Sequence, residues 1–171
     1  MQIAPNLRIF GECFLGRYVI GVSSQGITSI EFNNSIEAVE GILTEKGEIG
    51  NKQKVTQEKE NWIRMANLWL MNPRLTPKFP IHLAGTPFQL KVWKALIDIP
   101  FGTTISYSDF ARSVGISNGA RAVANACAQN KLAIVVPCHR VTRKDGSLGG
   151  YKWGLELKQR LIEWEKQQSK S

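Results

Sequence analysis

Three short stretches near the N-terminus, Arg8 to Phe14, Arg17 to Val22 and Ile27 to Phe32, alternate or cluster apolar residues. Gly16 and Gln25-Gly26 separate them, so the pattern predicts a three-stranded antiparallel meander. Ser35 is placed to cap a short helix through about Thr44, and the polar, Gly-containing run from Lys46 to Lys59 reads as a loop. Trp62, Met65, Ala66, Trp69 and Leu70 then recur at helical spacing on one face, giving a helix to about Met71 whose aromatic stripe reads as core. Pro73, Pro77 and Pro80 punctuate a stiff, extended connection, which marks a candidate domain boundary between residues 1–80 and 81–171.

The second half is predominantly helical in pattern. Thr86 is a natural N-cap with Pro87 at the first helical position, and Phe88, Val92, Ala95, Leu96 and Ile99 form one apolar face. Pro100-Phe101-Gly102 ends that helix, and Thr103 to Ile105 suits a short strand. Ser106 caps the next helix, with Asp109 in the position of a capping box, and Gly115 terminates it. Ser117 then caps an alanine-rich helix, Asn118 to Asn130, so two helices joined by a short Gly-containing turn take the form of a helix-turn-helix. So slim a helix suits close approach to a DNA backbone, and suits tight core packing equally well. The apolar run Leu132 to Val136 reads as a buried strand ending at Pro137. Arg143 to Ser147 is a basic turn, and Leu148 to Trp153 a Gly-rich aromatic loop. A last helix from Leu155 to about Gln167 sets Lys158, Leu161, Ile162 and Glu165 on one stripe by i, i+3, i+4, i+7 spacing. The fold class is therefore an α/β N-terminal domain with a three-stranded antiparallel sheet, followed by a mainly α domain.

Composition narrows the picture through charge. The chain of 171 residues is ordinary globular material, with 43% hydrophobic and 21% charged residues and a net charge of +8. Residues 1–80 hold nine basic against eight acidic residues, and residues 81–171 hold thirteen against six, so the excess sits in the second half. A basic face invites phosphate-bearing partners. No apolar run approaches a membrane span and no secretory signal precedes the first strand, which points to a cytoplasmic protein. Cys13, Cys127 and Cys138, far apart and odd in number, argue for a reducing compartment and against a disulfide framework.

The candidate chemistry lies at Pro137-Cys138-His139-Arg140-Val141, where a thiol and an imidazole meet at the end of an apolar run. The thiolate is the reactive form of cysteine, and a nearby imidazole relay is a common means of producing it. The pair alone reads equally as a packed thiol beside a structural histidine. A Cys-His hydrolase is a further reading, but no oxyanion element is evident. Glu165 on the inward stripe of the last helix is placed to reach the imidazole.

With Asn130, Arg121-Ala122-Val123, Gly85 to Gln89 with Val92-Trp93, Ile105-Ser106-Tyr107, and Gly150-Tyr151-Lys152-Trp153-Gly154, this segment resembles the O6-alkylguanine-DNA alkyltransferases. The likeness is closest to the C-terminal half of the bacterial adaptive-response methyltransferase and its free-standing relatives. It covers residues 81–166 with specific motifs, and residues 1–80 only in the order of elements. The resemblance implies a monomer that binds duplex DNA through the minor groove, rotates an O6-alkylguanine out, and moves the alkyl group irreversibly onto its own cysteine. It would work in the cytoplasm, at the nucleoid in a bacterium, or in the nucleus of a eukaryote.

By the same resemblance Cys138 is the nucleophile and methyl acceptor, His139 its base through a bridging water, and Glu165 the residue orienting His139. Tyr107 donates a proton to the departing guanine, and Asn130 braces the active-site turn. Arg121 fills the space of the extruded base, with Gly119, Ala120, Asn125 and Gln89 also facing DNA; Leu148, Tyr151 and Lys152 wall the guanine pocket. No cofactor is implied. Some family members bind zinc in the N-terminal domain, but Cys13 and His82 are too few for such a site, so no metal is expected. Non-catalytic relatives that only flag lesions replace the cysteine, which this chain retains.

Overall fold

The computed structural model describes residues 7–32 and 55–170. These fall into two compact units, one ending at Ala84 and the other beginning at Gly85. The helix expected from Ser35 lies outside the described residues, as does most of the expected Lys46–Lys59 loop.

In the first unit β1 (Leu7–Cys13), β2 (Gly16–Val22) and β3 (Ile27–Phe32) form an antiparallel sheet in the order β1-β2-β3. Ile9 pairs with Ile20 and Ile20 with Ile30, so one row of β-branched side chains crosses all three strands. Helix α1 (Gln57–Met71) packs on β1 and β2, with Ala66 and Leu70 fully buried and Tyr18 donating to the Asn67 side chain at 2.9 Å. Thr56 caps it, so the last residues of the stretch read as a loop are helical from Gln57: the cap and the acidic first turn outweigh their polarity. The proline-rich connection folds back on the sheet. Ile27 N–H donates to Pro80 C=O and His82 N–H to Ile27 C=O, both at 2.9 Å.

The second unit holds α2 (Pro87–Ile97), β4 (Ile105–Ser106), α3 (Tyr107–Ser113), α4 (Ala120–Ala128), a 3-10 turn (Cys138–Arg140), β5 (Val141–Thr142) and α5 (Leu155–Gln168). Thr86 and Gln89 close a full capping box on α2. Phe88 faces outward, and Trp93 takes its place in the core, donating to the Ala126 carbonyl at 2.9 Å and tying α2 to α4. The strand expected at Thr103 to Ile105 is displaced to Ile105–Ser106. It pairs in parallel with β5, Ile105 with Val141 and Ser106 with Thr142.

Two expectations about this half are corrected. Helix α4 starts at Ala120 behind Gly119, with no side-chain cap from Ser117 and with Asn118 at φ +58. The cause is local packing: a Cβ on Gly119 would lie 2.1 Å from Ile116 Cγ2, so the turn closes on itself before the helix begins. The buried run Leu132 to Val136 is a turn, not a strand, with Val136 N–H bonded to Leu132 C=O and Ile134 at φ +69. Asn130 accounts for this, because its side chain occupies both Leu132 N–H and Val136 C=O, groups a strand would need for its ladder.

Candidate active site

Cys138 enters the site through that turn. The buried amide of Asn130 accepts from Leu132 N–H at 2.8 Å, and its Nδ2 donates to Val136 C=O at 2.8 Å and to Cys138 Sγ at 3.3 Å. Cys138 is 3% exposed. Burial pushes it above its ordinary value, while the Asn130 hydrogen bond and the Lys158 ammonium pull the other way.

The 3-10 turn sends the side chains of His139 and Arg140 into the interior together. Glu165, one helical face away on α5, receives both. Its Oε1 accepts from His139 Nε2 at 2.7 Å and from Arg140 Nη2 at 2.9 Å. Its Oε2 accepts from Arg140 Nε at 2.8 Å and from Gly102 N–H at 3.0 Å. Arg140 Nη1 ends on the Ile99 carbonyl at 2.6 Å, and the guanidinium lies 5.6 Å from the centre of the Phe101 ring. Burial pushes Glu165 up, but the bonds from His139 and Arg140 outweigh it and hold the carboxyl down to about 2. His139, with no exposed surface, is pushed below its ordinary value, first by burial; Arg140 and Lys158 add to this and Glu165 opposes it. An ionised carboxylate only accepts, so His139 carries its proton on Nε2 and leaves Nδ1 as an acceptor. That Nδ1 is buried without a protein partner, and no direct Cys138–His139 bond forms.

The parallel β4–β5 pair sets Tyr107, which follows β4, near the segment that carries Cys138. Gly149, at φ +66, lets the aromatic loop close on it, since a Cβ there would meet the Tyr107 ring at 3.0 Å. Burial, reinforced by Cys127 and Cys138, pushes the Tyr107 phenol up to about 12. Tyr151 sits edge-on to His139 at 6.5 Å and to Trp153 at 5.2 Å, and the Tyr151 hydroxyl and Trp153 Nε1 are also buried without protein partners. Leu148 is half-buried and Lys152 exposed on the same loop.

Two residues that carry this geometry were not foreseen as site residues. Lys158 stands on the inward stripe of α5, wholly buried, and its ammonium donates to the carbonyls of Val141 (2.7 Å), Leu148 and Gly150 (3.3 Å). It lies 5.6 Å from the centre of the Tyr107 ring and 6.0 Å from that of Tyr151. Arg140 stands out in the sequence only as part of the Pro137–Val141 motif. A charged residue on an otherwise apolar stripe, and one at the buried end of an apolar run, were the available signals.

The residues expected to face DNA are placed less uniformly. Arg121 and Asn125 are exposed on α4 and Ala120 half-buried, whereas Gly119 is buried under Ile116. Gln89 spends its amide oxygen on Thr86 N–H in the capping box. Among the described residues no cluster of His, Cys, Asp and Glu is suited to a metal, and no helix is long and apolar enough to cross a membrane.

Residues 87–167 match the family model described as the DNA-binding domain of 6-O-methylguanine DNA methyltransferase. The bifunctional transcriptional activator/DNA repair enzyme Ada of Escherichia coli is 38% identical over 152 residues, which cover 88% of this chain and 43% of that protein. The inducible methylated-DNA–protein-cysteine methyltransferase of Bacillus subtilis is 50% identical over 90 residues, 53% of this chain and 50% of that one. The chain thus spans about half the length of the curated relatives it matches. Among solved structures, the Mycobacterium tuberculosis OGT in complex with DNA superposes with a TM-score of 0.71 at 28% identity, covering 92% of this chain and 91% of that one. By sequence, residues 87–167 belong with the DNA-binding domain of 6-O-methylguanine DNA methyltransferase, and the fold of the chain is similar to that of the solved Mycobacterium tuberculosis structure.

Proposed function

We propose that the protein, acting as a monomer, repairs O6-alkylguanine in duplex DNA by moving the alkyl group onto Cys138 Sγ, once per molecule. The observation that carries this reading is the relay at the thiol: Cys138 against Asn130, followed by His139 held by Glu165 at 2.7 Å with Nδ1 unpartnered. The name of the Bacillus subtilis relative, a methylated-DNA–protein-cysteine methyltransferase, agrees with it.

In this mechanism a water bridges Cys138 and His139 Nδ1, and the thiol proton passes through it to the imidazole. Sγ attacks the alkyl carbon, the S–C bond forms, and the C–O6 bond breaks with its electron pair going to the guanine. Tyr107, kept protonated by its raised pKa, supplies the proton that neutralises the leaving base. Glu165 orients His139 and stabilises the imidazolium, and Asn130 presents the sulfur. No step regenerates the thiol, because a thioether has no ready leaving group.

The target base has to leave the helix to reach a thiol this buried, at a cost of a few kcal/mol that is least for a damaged pair. Arg121, exposed in the first turn of α4, is the side chain assigned to the vacated space from the minor-groove side, with Ala120 and Asn125 beside it. Leu148, Tyr151 and Lys152 wall the pocket. Gly119 serves this surface through the turn it allows, and Gln89 through the helix N-terminus it caps.

The experiment is intact mass after incubation with duplex DNA carrying O6-methylguanine. One added methyl group, absent from Cys138→Ala, is expected. An unmodified protein that stays bound to the lesion would overturn the reading in favour of a non-catalytic lesion binder.

A further inference from the structure

In the hydrolytic triads a carboxylate faces its imidazole alone and raises the affinity of that imidazole for a proton. Here the carboxylate is shared. Three of the four hydrogen bonds that the Glu165 carboxylate accepts come from groups other than His139, two of them from the Arg140 guanidinium. That bidentate pair, with Arg140 8% exposed and its third nitrogen fixed on the Ile99 carbonyl, places a permanent positive charge beside the carboxylate that the imidazole depends on.

We propose that Arg140 is a positioning residue that sets the charge state of His139: by clamping and neutralising Glu165 it keeps the imidazole uncharged, with Nε2–H on Glu165 and Nδ1 open as the proton acceptor. The other groups that face the imidazole act in the same direction or are silent. Lys158 of α5 is a second cation, held by three backbone carbonyls with no carboxylate. Tyr151 of the aromatic loop is neutral at physiological pH, Gly102 contributes only a backbone dipole, and Cys138 is neutral until it gives up its proton. An imidazole already protonated could not take the proton of the thiol. One facing an unshared glutamate would be protonated over much of the physiological range. Arg140 thus deepens the alkyl-acceptor reading proposed above: it makes His139 a base that charges only when the thiol ionises.

The chain has two histidines, His82 and His139, so the imidazole nitrogens can be assigned by NMR with a single His82→Gln control. In the wild-type protein His139 is expected to be neutral at about pH 7, as the Nε2–H tautomer, and to titrate below the ordinary histidine value of about 6.5. In Arg140→Met its midpoint rises by about one pH unit or more, a tenfold or larger gain in proton affinity. In Arg140→Lys, which keeps the charge and loses the fork, the midpoint stays near wild type while the rate falls. The acidic limb of the rate with free O6-benzylguanine moves with the midpoint in Arg140→Met.

A residue that merely braced the fold would lower stability and rate without moving either midpoint. An imidazolium at neutral pH in the wild-type protein overturns the proposal without any variant, so a failure of Arg140→Met to fold leaves the test standing. An unmoved midpoint in folded Arg140→Met also overturns it. Absence of any reaction with O6-benzylguanine, with the NMR results as expected, would instead overturn the alkyl-transfer reading.

Discussion

Asn130 commits both functions of one amide to the approach of Cys138. Its oxygen takes Leu132 N–H, and its nitrogen serves Val136 C=O and Cys138 Sγ. Asn130→Ala strips these partners at once, at a cost of about 1–3 kcal/mol for each buried group left unpaired. It also removes a donor that lowers the thiol pKa. The pH dependence of Cys138 alkylation by iodoacetamide is therefore expected to shift upward, and chemical denaturation to report the lost stability. Arg121 is the opposite kind of residue, exposed and supporting nothing in the core. Arg121→Ala is expected to slow transfer from an alkylated duplex while leaving reaction with free O6-benzylguanine largely intact. Equal loss on both substrates would argue against a role in extruding the base.

Between elements, one side chain of α5 holds the pocket loop. Lys158 runs its stem through the core and ends on carbonyls of β5 and of the Leu148–Gly150 segment. Lys158→Met keeps most of the stem and removes all three bonds. Amide hydrogen exchange in residues 148–151 is expected to quicken, and the transfer rate to fall because the pocket wall no longer holds its shape. The stripe that carries Lys158 and Glu165 was legible from spacing alone, because helical periodicity is a property of the chain itself. What Lys158 holds was not legible, since its three acceptors are backbone groups 8 to 17 residues away, in β5 and in the loop that follows it. The Leu132–Val136 turn was misread for a related reason: apolar content predicts burial, which holds, but the conformation was decided by one side chain that outcompeted a strand ladder. The bidentate grip of Arg140 on Glu165 was hidden as well, since it depends on a 3-10 turn at Cys138–Arg140 that apolar patterning does not mark.

For the molecule as a whole, the ionisable groups of the site define how it meets acid. His139 has a folded pKa below its unfolded value, so the unfolded chain binds the extra proton and stability falls as pH drops below about 6.5. Glu165 is held down to about 2, so its contribution is complete above about 4.3 and is lost as pH falls towards the folded value. Acid titration of stability should thus show loss in both windows, and His139→Gln should remove the first alone. Glu165→Gln leaves Arg140 buried without its counter-charge, at a cost of roughly 3–5 kcal/mol at neutral pH, measurable by urea denaturation.

The close bracketing of Cys138 carries a further consequence once the thiol has reacted. At 3% exposure, with the Asn130 amide against the sulfur, an added methyl group presses on contacts that Cys138 already makes. Overpacking of this kind costs about 1–3 kcal/mol, and Asn130 exchanges a thiol or thiolate acceptor for a weaker thioether. For a chain of this size that lowers the melting temperature by roughly 2–10 °C. Titrating the protein with alkylated duplex should convert one thermal transition into another in proportion to the lesions added. The fraction melting early then records how much of the population has been used.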